Sequence, residues 1–188
     1  MSRTTRHLLA ALTLTAGIAI AAVPAVPASA QEIQTTSMSD QSRHAPRIIR
    51  QWANAWNTLD GVAMGKLFAP RGTYTDHAFQ ASFTGPAGAE MWVGLTKRSI
   101  SPASVTIKDA FSSGDQIAVS WTFSGTFTDQ APFNPPYSAA GKSFSVPATS
   151  IFTVRHGRIT SVDDYYNLAD ILRQVGLPAG PFTPPTMG

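Results

Sequence analysis

The sequence predicts an α+β domain with its helices mostly ahead of its strands, and three observations point to it. Apolar residues recur at three- and four-residue steps between positions 48 and 98, they alternate singly with small polar residues between 105 and 166, and short turn signals join the alternating runs. Ile48, Ile49, Trp52, Ala55, Trp56 and Leu59 make one apolar stripe, with Arg47, Arg50, Gln51 and Asn54 on the opposite face. That is an amphipathic helix. Leu59, Asp60 and Gly61 break it, and Asp60 is placed to cap a shorter helix carrying Val62, Leu67 and Phe68, which Pro70 ends. Gly88 to Arg98 reads as a third helix, buried through Met91, Trp92 and Leu95.

The period then drops to two. Val105 to Phe111 is read as a strand, and Ser113, Gly114 and Asp115 link it to the next, where Ile117, Val119, Trp121, Phe123 and Phe127 alternate with Ala118, Ser120, Thr122, Ser124 and Thr126. Phe144, Val146, Ala148, Ser150, Phe152 and Val154 alternate in the same way. His156, Gly157 and Arg158 turn the chain into a further strand, Ile159 to about Tyr166. A last helix, Leu168 to Val175, is stopped by Gly176 and Pro178. Consecutive antiparallel strands after helices imply helices packed on one face of a curved sheet.

The ends read differently from the middle. Arg3 and Arg6, the uncharged run Leu8 to Val26, and Ala28, Ser29 and Ala30 before Gln31 have the layout of a secretory signal over 1–30, so the expected location is secreted or extracytoplasmic. Pro24 and Pro27 interrupt any helix long enough to anchor in a bilayer, so no membrane association is expected once the signal is removed. Residues 31–45 read as a polar tether, 46–177 as the domain, and 178–188 as a Pro-rich tail in which Phe182 is the residue able to pin it down.

Composition excludes several functions. Losing Arg3 and Arg6 with the signal lowers the basic count from 14 to 12 against 11 acidic residues, and only 13% of the chain is charged, with no basic cluster. Nucleic acid is not an expected partner. Cysteine is absent, which removes thiol catalysis and thiolate metal sites, and no His pair has the spacing of helical metal ligands; neither a metal nor another cofactor is expected. Ser120 and Ser150 lack the glycine-flanked elbow of a serine hydrolase. A core must hold the fold, and about 158 residues suffice for one domain without disulfides.

Two segments carry a resemblance. Phe68 to His77 (FAPRGTYTDH), followed by the turn Phe83 to Pro86, and Gly157 to Leu177 (GRITSVDDYYNLADILRQVGL) are similar to the SnoaL-like, polyketide cyclase-like family of the nuclear transport factor two-like superfamily, over roughly residues 47–177. The resemblance implies a cone-shaped curved antiparallel sheet wrapped around the N-terminal helices and enclosing one apolar cavity for a small hydrophobic molecule. It implies either binding or cofactor-free acid/base chemistry of the cyclase or isomerase type. Because relatives pair through the outer face of the sheet, a homodimeric interaction module is the alternative. The family's cyclases use an acidic residue late in the last strand, and the register of the LRQVGL helix puts Asn167 there. An amide does not exchange protons near neutral pH, so another group must serve if there is chemistry.

Asp163 and Asp164 are the first candidates. Neighbours on a strand point to opposite faces, so at most one of them faces the cavity unless a bulge intervenes. Strict alternation from Asn167 selects Asp163, while a bulge selects Asp164, and both stand. Asp76 and His77, beside Tyr74, are a second candidate pair for a carboxylate-assisted base, with a simple turn as the alternative. Trp56, Trp92, Trp121, Tyr74, Tyr166 and Asn167 are the expected ligand contacts, although aromatic residues at this spacing also serve as plain core.

Overall fold

The computed structural model describes residues 44–180. The expected signal over 1–30, nearly all of the tether, and the tail beyond residue 180 with Phe182 lie outside the described residues. At the edges, Ala45 is buried and Pro178 lines the cavity described below.

Ten elements follow one another: α1 (Arg47–Asn57), α2 (Gly61–Gly65), β1 (Phe68–Asp76), β2 (Ala81–Thr84), α3 (Gly85–Ser99), β3 (Ile100–Ser113), β4 (Gln116–Phe127), β5 (Ser143–Arg155), β6 (Arg158–Tyr166) and α4 (Leu168–Gln174). The strands form one sheet in the order β2-β1-β6-β5-β4-β3. Every neighbouring pair is antiparallel except β1 with β6, which run parallel. The last strand therefore enters the middle of the sheet beside the first.

α1 buries Ile49, Trp52, Ala53, Ala55 and Trp56, the stripe its spacing requires. Its end is clasped to β3 by Asn57, whose side-chain NH2 donates to the Val105 carbonyl at 3.0 Å and whose side-chain oxygen accepts from the Val105 N–H at 2.7 Å. Trp52 is fully buried at the centre of the core, edge-on to Trp121 and Phe152 with ring centroids 5.2 Å from each. Asp60 caps α2 through the Ala63 N–H at 2.9 Å. His156 and Gly157 both have positive φ, 50° and 72°, the backbone of a two-residue hairpin turn whose twist matches its strands.

Several boundaries differ from the sequence reading. The helical stripe stops at Gly65, because Lys66 closes α2 and Phe68 pairs with Ile159 in the sheet. Pro70 falls where the β1–β6 register jumps from Phe68 to Thr73, so its missing N–H leaves no gap in the ladder. Gly72 in that jump has no room for a side chain: a Cβ would lie 2.6 Å from the Ile159 carbonyl oxygen. α3 begins at Gly85, three residues earlier than Gly88, since Pro86 suits a first helical turn; Met91 is 59% exposed, not buried. β3 begins at Ile100, ahead of Val105. No helix among the described residues is long and apolar enough to cross a membrane.

Candidate functional site

A cavity of about 740 Å³ lies among α1, α3, α4, the inner face of the sheet and the β4–β5 loop. Its buried wall includes Asp76, Asp164, Trp56, Trp121 and Phe123, while the exposed lining residues Arg98, Gln130, Asn134 and Tyr137 mark its mouth. Thr128 ties the start of the β4–β5 loop to the end of α3, its N–H donating to the Ser99 carbonyl at 2.9 Å.

The acidic floor comes from β1 and β6. Asp76 and Asp164 are register partners on these parallel strands, so their side chains stand next to one another on one face. Along β6, Val162, Asp164 and Tyr166 share the inner side, with Asp163 and Tyr165 between them facing out. The candidate left open in sequence is thereby resolved in position: Asp164 lines the cavity and Asp163 does not.

Asn167 is the reason that strict alternation pointed the other way. It has left the strand, caps α4 by accepting from the Asp170 N–H at 3.1 Å, and is exposed outside the cavity. The placement of Asn167 among the ligand contacts is corrected accordingly. A helix start needs a side-chain acceptor for its unpaired N–H groups, which the amide supplies, so the parity count from Asn167 has no meaning for β6.

Asp164 is 2% exposed and is held by two hydroxyls. Tyr74 donates to its Oδ2 at 2.6 Å and Ser150 to its Oδ1 at 2.6 Å. The direction of both bonds is fixed from behind. The Tyr74 hydroxyl accepts from the Trp52 and Trp56 indole N–H groups at 3.3 and 3.1 Å, and the Ser150 hydroxyl accepts from Trp121 at 2.8 Å. Indoles only donate, so the hydroxyl protons are turned onto the carboxylate. Burial pushes the Asp164 carboxyl up to about 7; the Ser150 and Tyr74 bonds oppose the rise, and the negative charges of Asp76 and Asp163 add to it.

Asp76 is 3% exposed. It accepts from the Tyr166 hydroxyl at 2.5 Å and the Phe79 N–H at 2.8 Å. Burial raises its carboxyl above the ordinary range, against the lowering by the Phe79 and Ala78 N–H groups, Tyr166 and His77. Tyr74 and Tyr166 are both pushed well above the usual phenol range, first by burial and then by the carboxylate each one meets.

Of the other expected residues, Trp56, Trp92, Trp121 and Tyr166 line the cavity. Tyr74 is fully buried and bears on the cavity through Asp164. His77 is on the far side of the sheet: its Nε2 pairs with Asp163 Oδ1 at 3.0 Å and its ring stacks on Tyr165 with centroids 4.4 Å apart. Asp76 and His77 thus part company, one inside and one outside. Ser150 and Trp52 were not among the expected site residues, yet both belong to the network that holds Asp164. Among the described residues no three His, Cys, Asp or Glu side chains gather as metal ligands.

Comparison with known proteins agrees with this fold. No curated protein matches. A hypothetical protein from Catenulispora acidiphila with a ketosteroid isomerase-like fold, solved in complex with trimethylamine, is 36% identical, with 74% of this chain and 99% of that one covered at a TM-score of 0.64. IdmH from Streptomyces antibioticus, a proposed polyketide cyclase, is 20% identical over 69% of this chain and 96% of its own, with a TM-score of 0.58. An M. tuberculosis LEH-like epoxide hydrolase shares the fold at 16% identity over 69% and 86%, with a TM-score of 0.54. The SnoaL-like domain model matches residues 49–162, from α1 through the first inward residue of β6's acidic end, and with a polar floor inside one apolar cavity the chain belongs to the SnoaL-like domain family.

Proposed function

We propose that the protein takes a small hydrophobic molecule into this cavity and carries out cofactor-free acid/base chemistry on it, of the isomerase or cyclase type, with Asp164 exchanging the proton. The observation that carries the reading is a carboxyl buried between two donor hydroxyls on the wall of an apolar cavity, where burial pushes it up to about 7. Such a group is available as base or acid at neutral pH, which an ordinary carboxylate is not. Tyr74 and Ser150 each occupy one oxygen as donors, so the proton that Asp164 gains or loses is exchanged on its cavity side. Asp76 and Tyr166 bond to each other on the same wall, holding the Tyr166 ring against the ligand space. The trimethylamine complex of the Catenulispora relative supports a small organic molecule as the occupant.

Native mass spectrometry of the protein purified from its own host would identify a retained molecule, and its amino-terminal sequence would test export and removal of residues 1–30. With that molecule, Asp164→Asn is expected to lower turnover about 10²- to 10⁴-fold, the usual worth of a general acid or base. Turnover that survives in Asp164→Asn would discard the assignment.

A second reading is an interaction module that pairs through the outer face of the sheet, favoured by the exposure of Phe111 (66%) and Tyr165 (47%). Light scattering on purified protein distinguishes monomer from dimer, and Tyr165→Ser would weaken a dimer built there.

A further inference from the structure

We infer that the molecule this cavity takes is an organic cation, an amine or quaternary ammonium group with apolar substituents, its charge held against Asp76 and Asp164. The inference rests on the small-molecule reading above and narrows it to a substrate class. It stands on two features of the wall, its buried acidic pair and its aromatic rings.

Asp76 and Asp164 lie side by side, both almost completely buried. The hydrogen-bond partners of their oxygens are donors: the Tyr74 and Ser150 hydroxyls for Asp164, the Tyr166 hydroxyl and the Phe79 N–H for Asp76. Such a set suits two ionised carboxylates, but neutral donors bring no net positive charge. The one cationic side chain among the lining residues is Arg98, exposed in the last turn of α3 at the mouth. His77, next to Asp76 in the chain, turns its ring to Asp163 across the sheet. Burial lets the two carboxyls keep a proton at lower pH, and once they ionise a countercharge is called for that the ligand can supply.

The rings decide between a cation and a neutral oxygen. Trp56, Trp121, Phe123 and Tyr166 line the same cavity, and aromatic faces carry negative charge density that attracts cations and disfavours carbonyl or carboxylate oxygens. Against ionised carboxylates a ketone would bring its lone pairs to rings and anions alike. An alkylammonium is drawn to both, and its carbon substituents fill the apolar remainder. A cation so bound keeps Asp164 ionised, which makes it a base in the proposed chemistry.

The groups that face Asp164 from each packed element are Tyr74 and Asp76 on β1, Ser150 on β5, Trp52 and Trp56 of α1 through Tyr74, Trp121 of β4 through Ser150, and Asp163 and Tyr166 on its own strand. Asp76 in turn is faced by Tyr166 and the Phe79 and Ala78 N–H groups and feels His77 from the outer face of the sheet; both phenols are pushed up and keep their protons. Affinity for a cation therefore rises with pH as the two buried carboxyls ionise, and binding at lower pH releases protons.

The test compares phenyltrimethylammonium with tert-butylbenzene, which has the same shape without the charge, by calorimetry on the full chain at pH 5 and pH 8. At pH 8 the cation is expected to bind about tenfold or more tightly than its neutral counterpart, with the advantage shrinking at pH 5. Asp164→Asn should weaken the cation about tenfold more than the hydrocarbon; the wild-type comparison needs no variant and stands if that one fails to fold. Equal or tighter binding of tert-butylbenzene at pH 8 overturns the cation while leaving the pocket reading intact. If neither probe binds, both fall.

Discussion

Asp163 and Asp164 are consecutive residues of one strand, and they live in different media. Asp163 is on the outer face, its side chain 35% exposed beside the 44% exposed His77. Asp164 is on the inner face, 2% exposed, between two hydroxyls and against Asp76. Identical chemistry one step apart thus gives an ordinary surface ion pair on one side and a carboxyl raised to about 7 on the other. The residue type does not confer the property; the face does, through desolvation.

The largest effect expected on this contrast comes from the support beneath the inner face. Trp52→Ala removes a fully buried ring that packs on Trp121 and Phe152 and donates to Tyr74, and chemical unfolding should show a loss of about 3–5 kcal/mol. A loss below about 1 kcal/mol would mean that the inner face is not held by this core.

Next comes the linkage between protons and folding. Because burial raises Asp164 from 3.8 to about 7, the folded chain holds a proton that the unfolded chain has released, so this residue lowers stability progressively as pH rises from about 4 to about 7. Asp164→Asn removes the effect. Its stability relative to wild type should rise over that window, by up to roughly 4 kcal/mol between pH 4.5 and pH 8 on top of a pH-independent cost of setting an amide NH2 against a donor hydroxyl, whereas Asp163→Asn, which removes only a lesser charge that raises Asp164, should shift it far less. Melting both variants at pH 4.5 and pH 8 checks the sign; equal pH dependence in the two would erase the contrast.

Ser150→Ala should act in the opposite sense to a repair. It withdraws one donor that lowers the Asp164 carboxyl, so the titration observed by carboxyl carbon NMR should move above its wild-type position. Since Trp121 loses its acceptor at the same time, some stability goes too, about 1–3 kcal/mol. The smallest effect is on the outer face. His77→Gln should change stability by less than about 1 kcal/mol, as exposed ion pairs do.

Much of this was legible in the residues. The single-step alternation of β4 to β6 and the stripe of α1 are consequences of side-chain geometry alone, and the observed elements follow them. Two signals for the site were present as well. Ser150 occupies the apolar phase of β5 with Val146, Ala148 and Phe152, and Asp164 occupies the phase of Val162 on β6; a polar group in an apolar phase must find a partner. The rest could not be read locally. Whether β1 runs parallel to β6, and at what register, depends on contacts about ninety positions apart in the chain, and the jump between Phe68 and Thr73 has no local signature beyond Pro70 and Gly72. Asn167 misled because a cap and a last strand residue look alike in sequence.

The parallel pairing of first and last strand also has a bearing on time. β6 is inserted between β1 and β5, and the Tyr74–Asp164 and Tyr166–Asp76 bonds each span 90 positions. The sheet cannot close between β1 and β5 until residues 158–166 are in place. The two aspartates meet only then, and the free energy of taking both out of water falls on the closing step. Loop closure over that distance makes the step slow relative to the β3–β4 and β4–β5 pairings, which join neighbours in the chain. The acid floor thus depends on the pairing in the sheet that joins the most distant parts of the chain.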